Sequence, residues 1–256
     1  MRFLRPSGPL FAPAWGLLLA VLAGAVASAP AGGETPKLDG IGAVDHRVLV
    51  PSTTPPWPAV GRVNRRVGGY CTGTVVGAQL VLTAAHCLWN RRTNAWLPAQ
   101  ALHFVAGYDH GRYLADAAVT GIRLASGYQP TAPLSLARLE HDWALLTLDH
   151  DIAGAVGVIR AIDIEPLPVG TMLVHAGYSQ DHAHALMMDD GCHLVASFAD
   201  GRILKHDCDA TFGDSGSPLF IRAEGGLRLV GIHVASSKGR ANVFGLAVRI
   251  RPSDIH

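Results

Sequence analysis

The sequence predicts an all-β protein, a barrel or a sandwich, and three observations carry that expectation. Short runs rich in Val, Ile, Leu and Thr recur along the chain, each closed by turn residues. Sustained helical stripes are missing, and only residues 84–89 and 133–138 offer a turn or two. Asp200-Gly201, flanked by Ala199 and Arg202, is a strong hairpin signal.

In chain order, residues 31–37 are small, polar and proline-containing, and read as a lead-in. Residues 51–58 hold four prolines beside Trp57 and can be neither regular helix nor central strand. Strands are expected around residues 73–76, 80–83, 144–148, 171–175, 227–234 and 242–250. No internal repeat, low-complexity tract or glycine-rich phosphate loop interrupts them.

The chain has 256 residues, 49% of them hydrophobic, which is enough to bury a substantial core. Its 21 basic and 20 acidic residues give a net charge of +1. That balance gives no support to a nucleic-acid or anionic-membrane partner.

The N-terminus reads as an export signal. Arg2 and Arg5 form a basic start, residues 15–26 are apolar and uncharged, and Ala25-Val26-Ala27 fits the small-x-small cleavage pattern. The apolar run is too short to span a bilayer comfortably. The expected destination is extracellular, with the periplasm as the other exported location.

Four cysteines follow, an even number that suits disulfides in an oxidising compartment. A hairpin centred on Asp200-Gly201 sets Cys192 beside Cys208. That leaves Cys71 with Cys87. A four-cysteine zinc site has no C-x-x-C spacing to support it.

Three segments carry chemistry: Leu82-Thr83-Ala84-Ala85-His86-Cys87, His141-Asp142-Trp143-Ala144, and Gly213-Asp214-Ser215-Gly216-Ser217-Pro218. Amide hydrolysis needs a nucleophile, a base that takes its proton, and donors for the developing oxyanion. A serine hydroxyl needs a histidine, and the histidine needs a carboxylate to fix its tautomer. The order His, Asp, Ser differs from the orders used by subtilisin-type enzymes and α/β-hydrolases. The G-x-S-x-G elbow also fails, because position 217 is serine.

Thr83-Ala84-Ala85-His86-Cys87 and Gly213-Asp214-Ser215-Gly216-Ser217-Pro218 resemble the two signature segments of trypsin-like serine proteases. The similarity runs over residues 41–250. Cys71-Thr72-Gly73, Ser217 and Gly231-Ile232-His233 suggest the bacterial branch that contains glutamyl endopeptidases and V8-like proteases. The resemblance implies two six-stranded antiparallel β-barrels: residues 41–150 carrying His86 and Asp142, and residues 151–256 carrying Ser215. Residues 1–27 would be the signal and 28–40 a lead-in or short propeptide.

By the same resemblance His86 is base and then acid, Asp142 its orienting partner, and Ser215 the nucleophile. The Gly213 and Ser215 backbone N–H groups would form the oxyanion hole. Cys71–Cys87 would hold the segment that carries His86. Asp209, Ala210 and His233 match positions of the primary substrate pocket. Asp209 would favour a basic substrate side chain and His233 an acidic one. If the two pair with each other, the pocket is left neutral. Asp214 and Ile41 match the acid and the new N-terminus of zymogen activation.

His175, His182, His184, Asp189, Asp190 and His193 form a histidine-rich stretch expected to be a surface loop without a metal spacing. The expectation is therefore a monomeric secreted endopeptidase acting on protein or peptide substrates. It needs no cofactor and no metal, has no nucleic-acid partner, and has no membrane association once the signal is removed. A catalytically silent binding protein on the same scaffold is the alternative.

Overall fold

Short apolar runs, several of them buried along nearly their whole length, close this chain into two barrels. The computed structural model describes residues 38–238 and 243–256. The expected signal 1–27 and residues 28–37 of the lead-in lie outside them. Strand β1 (Val48–Leu49) is followed by β2 (Val60–Arg65), β3 (Tyr70–Gly77), β4 (Leu80–Thr83), the short pair β5 (Trp89–Asn90) and β6 (Ala95–Trp96), β7 (Leu102–Ala106), β8 (Ala115–Leu124) and β9 (Ala144–Leu148). Next come β10 (Met172–Gly177), β11 (Met187–Phe198), β12 (Ile203–His206), β13 (Pro218–Ala223), β14 (Gly226–Ser236) and β15 (Gly245–Arg249).

The first barrel is closed in the order β2-β3-β4-β9-β8-β7. The second runs β11-β10-β13-β14-β15-β12 and closes through β11–β12, with β1 added outside β11. Every strand pair within them is antiparallel. Closure removes the free edges that an open sheet would present. The N-terminal segment therefore touches the second barrel before the first begins, because Val48 and Leu49 pair with Met188 and Met187.

The strand expectations at residues 80–83 and 144–148 coincide with β4 and β9, whose side chains are almost all buried. Of the barrel strands, β2, β7, β8, β13 and the first half of β11 were not among those expected. Strand β11 carries Asp189, Asp190 and His193, so this part of the histidine-rich stretch is sheet and not surface loop. His175 likewise lies inside β10 and is buried. Charged residues masked the pattern, and their burial depends on partners far away in sequence. The Asp200-Gly201 hairpin joins β11 to β12, and Cys192 is bonded to Cys208 across it. The chain closes on one helical turn, Pro252–Ile255, where the Asp254 carboxylate accepts the Arg251 N–H at 2.8 Å.

An apolar cluster fills the first barrel with Val63, Val81, Phe104 and Leu146, and continues into the second through Val174, Phe220 and Val248. A smaller cluster around Leu173, Leu194 and Leu219 includes the Cys192–Cys208 disulfide. Burying each such side chain contributes about 1.5–3 kcal/mol against leaving it in water. Together they make a stiff frame for the loops above.

Candidate active site

Antiparallel pairing brings two of the three candidate groups to one rim. Thr83 at the end of β4 pairs with Ala144 at the start of β9. His86 follows Thr83 in a short 3-10 turn, Ala85–Leu88, and Asp142 precedes Ala144, so both leave the barrel at the same edge. The Cys71–Cys87 disulfide ties the residue after His86 back to β3. Because both sulfurs are in that bond, the Cys71, His86 and Cys87 trio has no thiolate to offer a metal.

Asp142 is buried and holds His86 twice. Its Oδ1 accepts the His86 backbone N–H at 2.8 Å, and Oδ2 lies 2.8 Å from His86 Nδ1. His86 Nε2 lies 2.8 Å from Ser215 Oγ. Since a carboxylate can only accept, Nδ1 carries the proton and Nε2 presents a lone pair to the serine hydroxyl. The arrangement can therefore take a proton from Ser215.

Ser215 sits in the turn before β13. Gly213 has φ +95° and Gly216 φ +83°, in the left-handed region that favours glycine. Side chains would not fit there either, because a Cβ on Gly213 would come within 2.3 Å of the Tyr178 carbonyl oxygen, and one on Gly216 within 2.3 Å of the Thr72 carbonyl oxygen. The Phe212 carbonyl accepts the Gln180 N–H, which turns the other side of that peptide, the Gly213 N–H, the opposite way. Neither the Gly213 nor the Ser215 N–H has an acceptor among the described residues. Two donors thus remain for a substrate oxygen.

Asp214 is fully buried. Its Oδ2 accepts from Thr211 N–H at 2.8 Å and from Ser179 Oγ at 2.7 Å, while Oδ1 has no partner among the described residues. Burial pushes this carboxyl up to about 7 against those two bonds. The Ile41 N–H donates to the Leu38 carbonyl, so Ile41 and Asp214 are separately engaged.

Asp209 does not pair with His233. Its Oδ1 accepts the Gly42 N–H at 2.7 Å, and Oδ2 accepts the His46 N–H at 2.8 Å and lies 3.1 Å from His46 Nδ1. The Asp209 N–H itself donates to Asp189 Oδ2. The Ala210 N–H donates to the Gly40 carbonyl, so the chain before Ile41 passes directly against Ala210.

His233 belongs instead to a polar chain whose direction can be read from its end. Ser236 Oγ lies 2.6 Å from the Ala210 carbonyl, which can only accept, so the single hydroxyl proton goes there. His233 Nε2, 3.0 Å from Ser236 Oγ, is then the donor. Its Nδ1 accepts from His206 Nε2 at 3.1 Å. The His206 ring stacks beside that of His175, with centroids 6.3 Å apart. Burial holds all three imidazoles below their usual range, His206 at about 3. They are neutral at physiological pH, with a proton on His233 Nε2.

Sequence reasoning passed over His206, Ser236, Ser179 and Thr72. Of these, Thr72 stood in view within Cys71-Thr72-Gly73, and Ser236 lies three residues after His233. No spacing rule connects the other two to the site.

Two closed six-stranded antiparallel barrels with this cleft define the chymotrypsin-type class of fold. Residues 49–253 match the family model for trypsin, and the chain belongs to that family. It is 23% identical over 180 residues to a glutamyl endopeptidase of Bacillus licheniformis, covering 70% of this chain and 54% of that protein. The chain thus matches about half the length of that curated relative. A solved structure of a Glu endopeptidase in complex with MPD superposes with a TM-score of 0.68 at 20% identity, covering 83% of this chain and 94% of the other.

Proposed function

We infer that the protein is a secreted serine endopeptidase working through His86, Asp142 and Ser215. The observation that carries this is the continuous Asp142–His86–Ser215 line, each link 2.8 Å, ending on a hydroxyl beside two free N–H donors. His86 Nε2 takes the Ser215 Oγ proton as Oγ attacks the scissile carbonyl carbon. The carbonyl electron pair moves onto oxygen, where the Gly213 and Ser215 N–H groups stabilise it. His86 then gives its proton to the departing amine, leaving an acyl-enzyme. Water repeats the cycle, with His86 again base and then acid.

Protein or peptide substrates, a monomeric enzyme and an extracytoplasmic location complete this reading. The disulfides and the N-terminal sequence support the location. Among the described residues no helix is long and apolar enough to cross a membrane.

An acidic side chain in the primary pocket is the specificity we favour. Asp209 is turned to the N-terminal segment and so is not free to receive a basic side chain, while the His233 Nε2 proton, given to Ser236 Oγ here, would have to be redirected to meet an acidic one. The matched relative is named for glutamyl bonds. Processing before Ile41 would withdraw Gly40 from Ala210, and Asp214 Oδ1 has room in its bonding for a new amine. N-terminal sequencing of active enzyme tests this step, and a start well before residue 41 rules it out.

The test of the whole reading is labelling by a fluorophosphonate probe beside Ser215→Ala, followed by cleavage of a mixed peptide library. Labelling that vanishes in the variant, with cuts after Glu, is the expected result. Cuts after Arg or Lys would overturn the acidic pocket. No labelling of processed protein would replace the enzyme by the catalytically silent binding protein.

A further inference from the structure

We propose that Thr72, on β3 of the first barrel, is a positioning residue that sets the oxyanion donors of the second. The proposal rests on the endopeptidase reading above. It comes from one buried hydroxyl bonded on both sides across the cleft.

Thr72 is completely buried and makes three bonds to elements of the other barrel. Its backbone N–H donates to the Ser215 carbonyl at 2.9 Å. Its Oγ1 lies 3.0 Å from the Gly213 carbonyl and 3.0 Å from the Tyr178 nitrogen. The direction of each bond is fixed, since a carbonyl only accepts and a backbone N–H only donates. Oγ1–H therefore goes to Gly213, and an Oγ1 lone pair takes the Tyr178 N–H.

The consequence falls on the two residues whose N–H groups face the substrate oxygen. Thr72 grips the carbonyl of each, Gly213 through the side chain and Ser215 through the backbone. Gly213 is the residue with least intrinsic preference for any one conformation, at φ +95°. Its preceding peptide is held by the Gln180 N–H on the Phe212 carbonyl, and its following peptide by Thr72. Without the hydroxyl one of these two holds is gone, and the Gly213 N–H can turn out of line. Oxyanion stabilisation depends on donors that are already aimed before charge develops. Thr72 touches neither substrate nor proton. It acts through Gly213 and Ser215.

Thr72→Val keeps shape and the backbone bond but deletes both hydroxyl bonds, whereas Thr72→Ser keeps them. Removing an oxyanion donor outright lowers kcat by about 10²–10³, so a donor left loose should cost about tenfold. The expected result for T72V is kcat down about tenfold with KM unchanged, because ground-state binding does not use the oxyanion hole. T72S should restore kcat to near that of the parent enzyme. A purely structural role would lower the melting temperature of T72V while leaving kcat of the folded protein alone, and that outcome overturns the proposal. Equal loss in T72S overturns it too. Should T72V not fold, Thr72→Ala gives the same comparison without a misplaced methyl. Failure of both to fold would make the hydroxyl a folding requirement and not a positioning device. An inactive parent enzyme, in contrast, would defeat the endopeptidase reading itself.

Discussion

The Asp209 carboxylate accepts the Gly42 N–H at 2.7 Å, across 167 residues of chain, and through its other oxygen the His46 N–H. The acid six residues before Ser215 thus anchors the N-terminal segment. Its side chain is only 3% exposed although its partner His46 is 65% exposed. Asp209→Ala should cost about 2–4 kcal/mol in urea unfolding, since it strands two charge-assisted bonds. The cleavage pattern should not change. A variant that lost cleavage after Arg or Lys would show instead that Asp209 reads the substrate.

Asp142 holds the His86 ring and the His86 backbone together, so its charge and its geometry act at once. Asp142→Asn can donate to Nδ1, which favours the tautomer with the proton on Nε2, the wrong nitrogen for a base. In this type of triad the expected loss is about 10⁴ in kcat. Steady-state kinetics above pH 8 would check it, and a loss below tenfold would show that His86 keeps its tautomer without Asp142.

Acid should loosen the second barrel. Burial holds His175, His206 and His233 below their ordinary range, so they contribute stability that is complete above about pH 6.5 and falls as the pH drops toward their folded values. Asp214, pushed up to about 7, acts the other way: its contribution is greatest below about pH 4 and declines as pH rises to about 7. Each group gives a slope of at most about 1.4 kcal/mol per pH unit, and three histidines outweigh two carboxyls, Asp214 and Asp189, the latter also raised by burial. Urea midpoints should fall between pH 6.5 and 5, with a shallower fall in His206→Gln. A level midpoint would mean that the folded protein accepts the protons.

Cys71 and Cys87 close a loop with a sequence separation of 16, and opening it should cost about 3 kcal/mol through the freedom returned to the unfolded chain. The double variant Cys71→Ala/Cys87→Ala should also slow turnover, because Cys87 directly follows His86. Denaturation midpoints and kcat measured together would check both effects. Unchanged kcat would show that Asp142 alone keeps His86 in place.

Much of this protein was legible before folding. The three chemistry-bearing segments are contiguous, each fixed by local demands: a turn after a strand, a buried acid before one, and glycines about Ser215. The Asp200-Gly201 turn foretold the Cys192–Cys208 pairing for the same reason, since a hairpin is a local object. The charged first half of β11 hid, because its Asp189 becomes tolerable only when the Asp209 and Gly191 N–H groups arrive to bond it.

The sequence by itself determined the all-β class, the order His86, Asp142, Ser215 and the chemistry those residue types can perform. Tertiary structure alone decided that Asp209 turns to Gly42, that His233 leans on His206, and that Thr72 reaches Gly213. The physical reason is that a hydrogen bond commits a side chain to whichever donor or acceptor the fold delivers. These partners lie 27 to 167 residues apart. No periodicity or spacing records a meeting of that kind, because closing two barrels against each other creates it.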